Sequence, residues 1–201
     1  MIVREIIPIN TKKSKIVFDD GECFALYKGE IRRLDIEIGR EIGEEEYYTT
    51  IYPTLKKRAF ARLLHILEIS FKSENDIIKK LRLSFYPDEA IKEAIEKAVK
   101  FGYIDDERYT KRYVATYKDK YSKLKLKYKL MEKGINKEII ENALEEAYID
   151  ESPKIKILLE KKHYFETDEF EKKQKIIASI MRQGYKYTEI KDIINDISTE
   201  I

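Results

Sequence analysis

The chain has 201 residues, 43% of them hydrophobic and 39% charged, and its 40 basic and 38 acidic side chains almost cancel to a net charge of +2, the balance of a globular protein with a core and much solvated surface. The single cysteine, Cys23, excludes an internal disulfide, and the two histidines, His65 and His163, leave no plausible zinc cluster. No apolar run approaches the ~18 residues of a membrane span and no secretory leader is visible, so a soluble cytoplasmic monomer without cofactor, metal or membrane partner is expected.

Residues 1–53 are expected to form a small β-strand-rich N-terminal region. Val3, Ile16, Phe18, Phe24, Leu26, Ile31, Leu34, Ile36 and Ile38 mostly alternate with polar residues, and Asp20–Gly21 and Lys28–Gly29 interrupt them as turns. Such a pattern fits short antiparallel strands. Glu44, Glu45, Glu46 and the segment 47–53 then separate this region from the rest, which places the boundary near Thr54.

From there one apolar pattern recurs three times. Aligned on Phe85, Gly134 and Gly184, it places Ile77, Leu126 and Ile176 eight residues earlier and Leu81, Leu130 and Ile180 four earlier. Ile91, Ile140 and Ile190 stand six later; Ala94–Ile95, Ala143–Leu144 and Ile193–Ile194 nine and ten later; Ala98, Ala147 and Ile197 thirteen later. These spacings put apolar residues on one face of a helix before the turn and on one face of a helix after it.

The turn has its own chemistry. Gly134 and Gly184 can take the positive φ of a helix end, while Asp88, Asn136 and Thr188 can cap the next helix. Phe85 breaks the glycine rule in the first copy, where Pro87 can set the turn instead. Upstream apolar stretches, Ala59 to Ile69, Tyr109 to Tyr117 and Ile155 to Phe165, add a further helix to each copy, and Ser73 and Ser122 stand as N-caps of the second helix in the first two. The expected fold class is therefore mainly α: three tandem three-helix repeats at 54–106, 107–151 and 152–201, stacked in a curved elongated array.

Charge is concentrated in the middle repeat. Residues 107–133 carry 10 basic and 3 acidic residues, net +7, and residues 134–152 carry 1 and 6, net −5. Lys118, Lys120, Lys123, Lys125, Lys127 and Lys129 alternate with Tyr117, Tyr121, Leu124, Leu126 and Tyr128, and Arg108, Lys111 and Arg112 form a second cluster. Such a run could clamp a polyanion, with lysine supplying charge and tyrosine stacking on bases. It could equally be a solvated helix face beside acidic neighbours.

The sharpest local motif joins the first two repeats: Phe101-Gly102-Tyr103-Ile104-Asp105-Asp106-Glu107-Arg108-Tyr109. Gly102 fits a helix stop, Ile104 a plug between helices, and either aspartate the cap of the next helix. This motif and the stretch from Lys57-Arg58-Ala59 to Ser73-Glu74-Asn75-Asp76 resemble the RecX family of recombinase regulators. Gly102-Tyr103-Ile104-Asp105-Asp106 with Arg108-Tyr109 matches that family's most specific motif, and Leu130 with Lys133-Gly134-Ile135 matches its second-repeat turn. Gly184-Tyr185 corresponds to the third.

The resemblance implies a non-enzymatic protein that binds the RecA recombinase filament on single- or double-stranded DNA. It would restrain strand exchange and coprotease activity in DNA repair and the SOS response. It also makes Gly102, Tyr103, Asp105, Asp106, Tyr109, Gly134 and Gly184 mainly structural. An alternative is a helix-turn-helix transcriptional regulator, but the helices after the turns carry Glu89, Glu93 and Glu96, or Glu138, Glu141 and Glu145, where a groove reader needs donors to base edges. A hydrolase using Asp105 and Asp106 lacks an accompanying metal constellation. Most of the tyrosines read as structural, both histidines as packing or surface residues, and Cys23 as a small buried residue.

Overall fold

A computed structural model describes residues 1–199. The chain divides into two compact units, Met1–Asp105 and Asp106–Ile201. It is mostly helical, with a small antiparallel sheet at the N-terminus, as the hydrophobic periods predict.

In the first unit β1 (Val3–Pro8), β2 (Lys13–Phe18) and β3 (Cys23–Tyr27) pair antiparallel in chain order, with Ile16 opposite both Ile6 and Phe24. Along β2 the side chains of Ser14, Ile16 and Phe18 are buried and those between are half-exposed, the period-2 pattern of a sheet with one covered face. The sheet stops sooner than expected. Residues Lys28–Arg33 form a short helix, α1, because Glu30 reaches back to accept the Tyr27 amide at 2.9 Å and so starts a helix where a turn was expected. Ile31, Leu34 and Ile36 still face the sheet core, but from a helix and the loop after it, while Ile38 is exposed.

A turn of helix, α2 (Glu44–Glu46), passes through a π-helical stretch, Tyr47–Ile51, into α3 (Tyr52–Ile69). This helical run serves two cores. Ile51 and Leu55 pack with Val3, Ile16, Phe24 and Ile42 under the sheet; Tyr52, Ala59, Leu63 and Ile66 face Ile77 and Leu81 of α4 (Glu74–Arg82) and Ile91, Ala94, Ile95 and Ala98 of α5 (Asp88–Lys100). Burying each such Leu or Ile stabilises by about 1.5–3 kcal/mol.

The second unit repeats the three-helix order twice: α6 (Asp106–Tyr117), α7 (Lys123–Glu132) and α8 (Lys137–Glu146), then α9 (Ser152–Lys161), α10 (Phe170–Met181) and α11 (Tyr187–Thr199). Leu126, Leu130, Ile140, Ile155, Ile180 and Ile190 are fully buried. In α10 Ile177 rather than Ile176 is the buried partner of Ile180.

At the three aligned turns and after α5 the left-handed residue is glycine except at Phe85, while Tyr148 and His163 take that conformation after α8 and α9. Gly102, Gly134 and Gly184 have φ of +70°, +79° and +96°. After α5 the Gly102 amide bonds to the Val99 carbonyl and the Tyr103 amide to that of Ala98, and after α7 Gly134 and Ile135 do the same to Met131 and Leu130, closing each helix with a left-handed residue. In the first copy Phe85 itself takes φ +61°, with Tyr86 bonded back to Leu81; Pro87 is the cap of α5, not the turn. Asp88 is the first residue of α5, held by Arg82, and Thr188 lies inside α11, so of the three expected caps only Asn136 accepts from its helix. Ser73 and Ser122 cap α4 and α7 as expected.

What touches each turn explains where glycine is required. A Cβ on Gly184 would collide with Ser122 Oγ and press on Leu124 and the Lys125 amide, while Ser122 Oγ donates to the Gln183 carbonyl at 2.7 Å. The turn before α11 therefore sits on the N-terminus of α7. The turn before α5 sits on the sheet instead, where the Phe85 carbonyl accepts from Ala25 and its ring lies 4.7 Å from Lys15 Nζ. A side chain there gains a partner, which offsets part of the roughly 1–2 kcal/mol cost of a left-handed non-glycine residue.

Candidate polyanion interface

The alternation of lysine with tyrosine and leucine in 117–129 would suit a strand, but on a helix it is sorted onto different faces. Leu126 and Leu130 go to the core, Leu124 and Tyr128 to the surface. Lys127 turns to Glu141 at 2.7 Å, and Lys111 of the second basic cluster is held by Glu146 at 2.8 Å. Lys123 is exposed, its amide bonded to Glu151. Within the run Lys127 is thus paired with a carboxylate, and in the second cluster Lys111 is.

What remains is more ordered than the sequence suggested. Tyr109, Tyr113 and Tyr117 stand four residues apart on α6, and Tyr121 follows in the corner before α7. Their ring centroids step by 6.1, 4.6 and 5.7 Å. Lys120, Lys125 and Lys129 place their ammonium groups 5.5, 5.1 and 5.1 Å from the Tyr121 ring, and Lys133 lies 6.0 Å from both Tyr109 and Tyr113. The result is a ladder of four rings edged by four lysines; Tyr109 is buried at its inner end, and the half-exposed Tyr113, Tyr117 and Tyr121 combine ring faces with positive charge as single-stranded nucleic acid binding needs. Burial pushes the Tyr113 hydroxyl above its ordinary pKa, while Lys133 beside it pulls the other way.

Arg108 and Arg112 are exposed on the adjacent row of α6, and Lys118 is half-buried with its carbonyl engaged. Gly102 ends α5, Tyr103 is exposed beside Phe101, Asp105 is exposed and Asp106 begins α6, its carbonyl accepting from Thr110. Among the described residues no three His, Cys, Asp or Glu side chains converge as a metal site would need. Tyr113 and Lys133 were missed by sequence reading. The signal was present in the four-residue spacings 109, 113, 117, 121 and 125, 129, 133, hidden by the more conspicuous alternation.

The corner between α6 and α7 is held from α9. Lys154 Nζ donates to the carbonyls of Lys118 and Tyr121 at 2.7 and 3.0 Å, and Glu151 accepts the Lys123 amide at 2.9 Å. Both side chains are largely covered, at 15% and 10% exposure, and burial lowers the Lys154 pKa and raises that of Glu151. One side chain thus satisfies carbonyls at the end of α6 and the other an amide at the start of α7. Lys154→Met should keep the covered stem but lose both bonds, destabilising the second unit by about 1.5–3 kcal/mol in a urea melt. Loss below about 0.5 kcal/mol would show that water replaces the ammonium.

A family model described as the second three-helix domain of RecX matches residues 105–144, the stretch that carries the whole ladder and its lysines. The chain is 31% identical over 184 residues to regulatory protein RecX of Clostridium acetobutylicum, covering 87% of this chain and 80% of that one. It is 32% identical to regulatory protein RecX of Caldanaerobacter subterraneus over 57% of this chain, and 27% identical to that of Bacillus velezensis over 53%. Those two matches span 58% and 41% of the relatives' own lengths. Two solved structures share the fold: a crystal structure of regulatory protein RecX, TM-score 0.65 at 22% identity over 95% of this chain and 98% of the other, and RecX from Lactobacillus salivarius, 0.63 at 24% over 73% and 99%.

Proposed function

The chain belongs to the RecX family of regulatory proteins, and on that premise we propose that it binds a RecA-type recombinase filament on DNA and restrains strand exchange and coprotease activity in DNA repair and the SOS response. It acts by occupancy, without chemistry of its own. The observation that carries this reading is the tyrosine ladder with its lysine edge, because charge supplies salt-dependent attraction to phosphates and the rings are indifferent to base sequence. A regulator of a filament that coats any sequence needs that indifference. In this reading the segments 54–106, 107–151 and 152–201 act as three linked modules, which multiplies weak contacts when all engage together. The helices after the turns speak against a transcription factor: Glu138 and Glu145 lie exposed on α8, where base edges would call for donors. Among the described residues no helix is long and apolar enough to cross a membrane, so nothing in these helices competes with a role on DNA.

Co-sedimentation tests the proposal. The full chain should pellet with recombinase filaments assembled on single-stranded DNA with a non-hydrolysable nucleotide, and should stay bound at salt that strips it from the naked strand. Equal release from both would indicate a DNA-binding protein with no preference for the filament. No pelleting at low salt would refute the reading.

A further inference from the structure

The first unit holds a second set of cations, far from the ladder in sequence, and these line a cavity. It has a volume of about 550 Å³ and lies between the β1–β2 turn, the end of β3, one face of α3 and the turn at 83–86, within the roughly 300–1,000 Å³ of small-ligand sites. Lys13 enters from β2, and Arg58 and Arg62, one helical turn apart, enter from α3.

Charge there is unbalanced. Glu30, buried at the foot of α1, accepts Arg58 Nε at 2.8 Å and the Tyr27 amide at 2.9 Å, so it already serves Arg58. Among the described residues no carboxylate forms an ion pair with Lys13 or Arg62; burial and then the like charge of Arg62 hold the Lys13 pKa below the usual lysine value, against a smaller opposing pull from Glu30. The cations also stand against rings. Lys13 Nζ is 4.8 Å from the Tyr86 centroid and 5.9 Å from that of Tyr27, and the Arg58 guanidinium is 4.6 Å from Tyr27. Tyr27 is 38% exposed, and the half-buried Phe85 joins the lining.

An anion entering the cavity would meet Lys13 and Arg62 without a paired carboxylate, and the aromatic wall suits a flat apolar group attached to it. Phosphate linked to a nucleobase has both parts, whereas an acidic peptide has only the first. We propose that this cavity binds a nucleotide phosphate, with Lys13 and Arg62 on the phosphate and Tyr27 and Phe85 beside the base. The site is independent of the recombinase reading, since it needs only the isolated chain and a nucleotide.

The test uses the full chain with an oligothymidylate carrying photoreactive 5-iodouracil, with free thymidine monophosphate and with a polyglutamate peptide as competitors. Arg62→Gln should weaken oligonucleotide binding about tenfold at low salt and reduce the salt slope by about 0.7, while Lys92→Gln, an exposed lysine on α5, changes neither. Cross-links should map to Tyr27 or Phe85 and disappear in Arg62→Gln. Lys13→Gln should act alike, and because Arg62 is exposed its variant carries the test if Lys13→Gln does not fold. Competition by the free nucleotide would identify a lone nucleotide as sufficient; cross-linking without such competition would identify a strand. Equal losses in Arg62→Gln and Lys92→Gln, cross-links confined to α6 and α7, or stronger competition by polyglutamate than by either nucleotide form would overturn the proposal.

Discussion

Gly184→Ala is expected to destabilise the second unit by about 2–4 kcal/mol in chemical denaturation. Two costs add. A left-handed alanine costs about 1–2 kcal/mol by itself, and the new methyl displaces Ser122 Oγ, which both caps α7 through the Lys125 amide and donates to Gln183, a cap worth about 0.5–2 kcal/mol. Gly102→Ala supplies the control, because a Cβ there meets no atom within 4 Å at φ +70° and only the first cost applies. A second control is the pair Gly184→Ala with Ser122→Gly, which should be less destabilised than the sum of the single changes by about 1 kcal/mol. Equal losses at Gly102 and Gly184 would show that the serine yields freely and that the turn does not depend on it.

Replacing Lys120, Lys125 and Lys129 together by Gln should weaken binding to recombinase filaments by at least tenfold and flatten its salt dependence by about 2 logarithmic units per unit of log salt, since each contact on a single strand contributes about 0.7. These three lysines surround Tyr121. Lys111→Gln with Lys127→Gln removes charge from the same repeat but from side chains already paired with Glu146 and Glu141, and should change affinity by less than about threefold. If the two sets of variants lose affinity equally, binding reads net charge and not the ladder. The triple variant should keep its fold, because exposed cation–ring contacts contribute only about 0.5–1 kcal/mol each.

Much of the helical architecture was legible because its causes are periodic. Ile77 with Leu81 and Leu126 with Leu130 had to share a helix face, and Ser73 and Ser122 preceded helices by the usual capping rule. The misread elements depend on a contact distant in sequence or on a competing local bond. Lys28–Gly29 read as a turn between strands, yet Glu30 accepting the Tyr27 amide starts a helix over 28–33. Phe85 looked like a failure of the turn rule, and only the sheet beneath it supplies the reason. At the candidate site the lysines were visible as a run, but their division between Glu141 or Glu146 and Tyr121 depends on how α6, α7 and α8 pack. Lys154 gave no sequence signal at all, since a cation that closes the α6 to α7 corner from 33 residues away resembles any other lysine.

That dependence has a consequence for dissecting the chain. Removing residues from Ser152 onward would strip the α6 carbonyls of Lys154 and the α7 cap of its Gln183 partner, so the second repeat should lose stability with the third. Point variants are therefore the sounder way to separate reach from local contact.

The proposed restraint of a recombinase is tested most directly by the filament's own DNA-dependent ATP hydrolysis, measured after adding the purified full chain to filaments preassembled on single-stranded DNA. The account predicts a dose-dependent fall in hydrolysis at concentrations well below that of DNA-binding sites, and a shift of the curve to at least tenfold higher concentration for the Lys120, Lys125 and Lys129 triple variant. Hydrolysis unchanged at stoichiometric protein, or inhibited identically by wild type and triple variant, would contradict it.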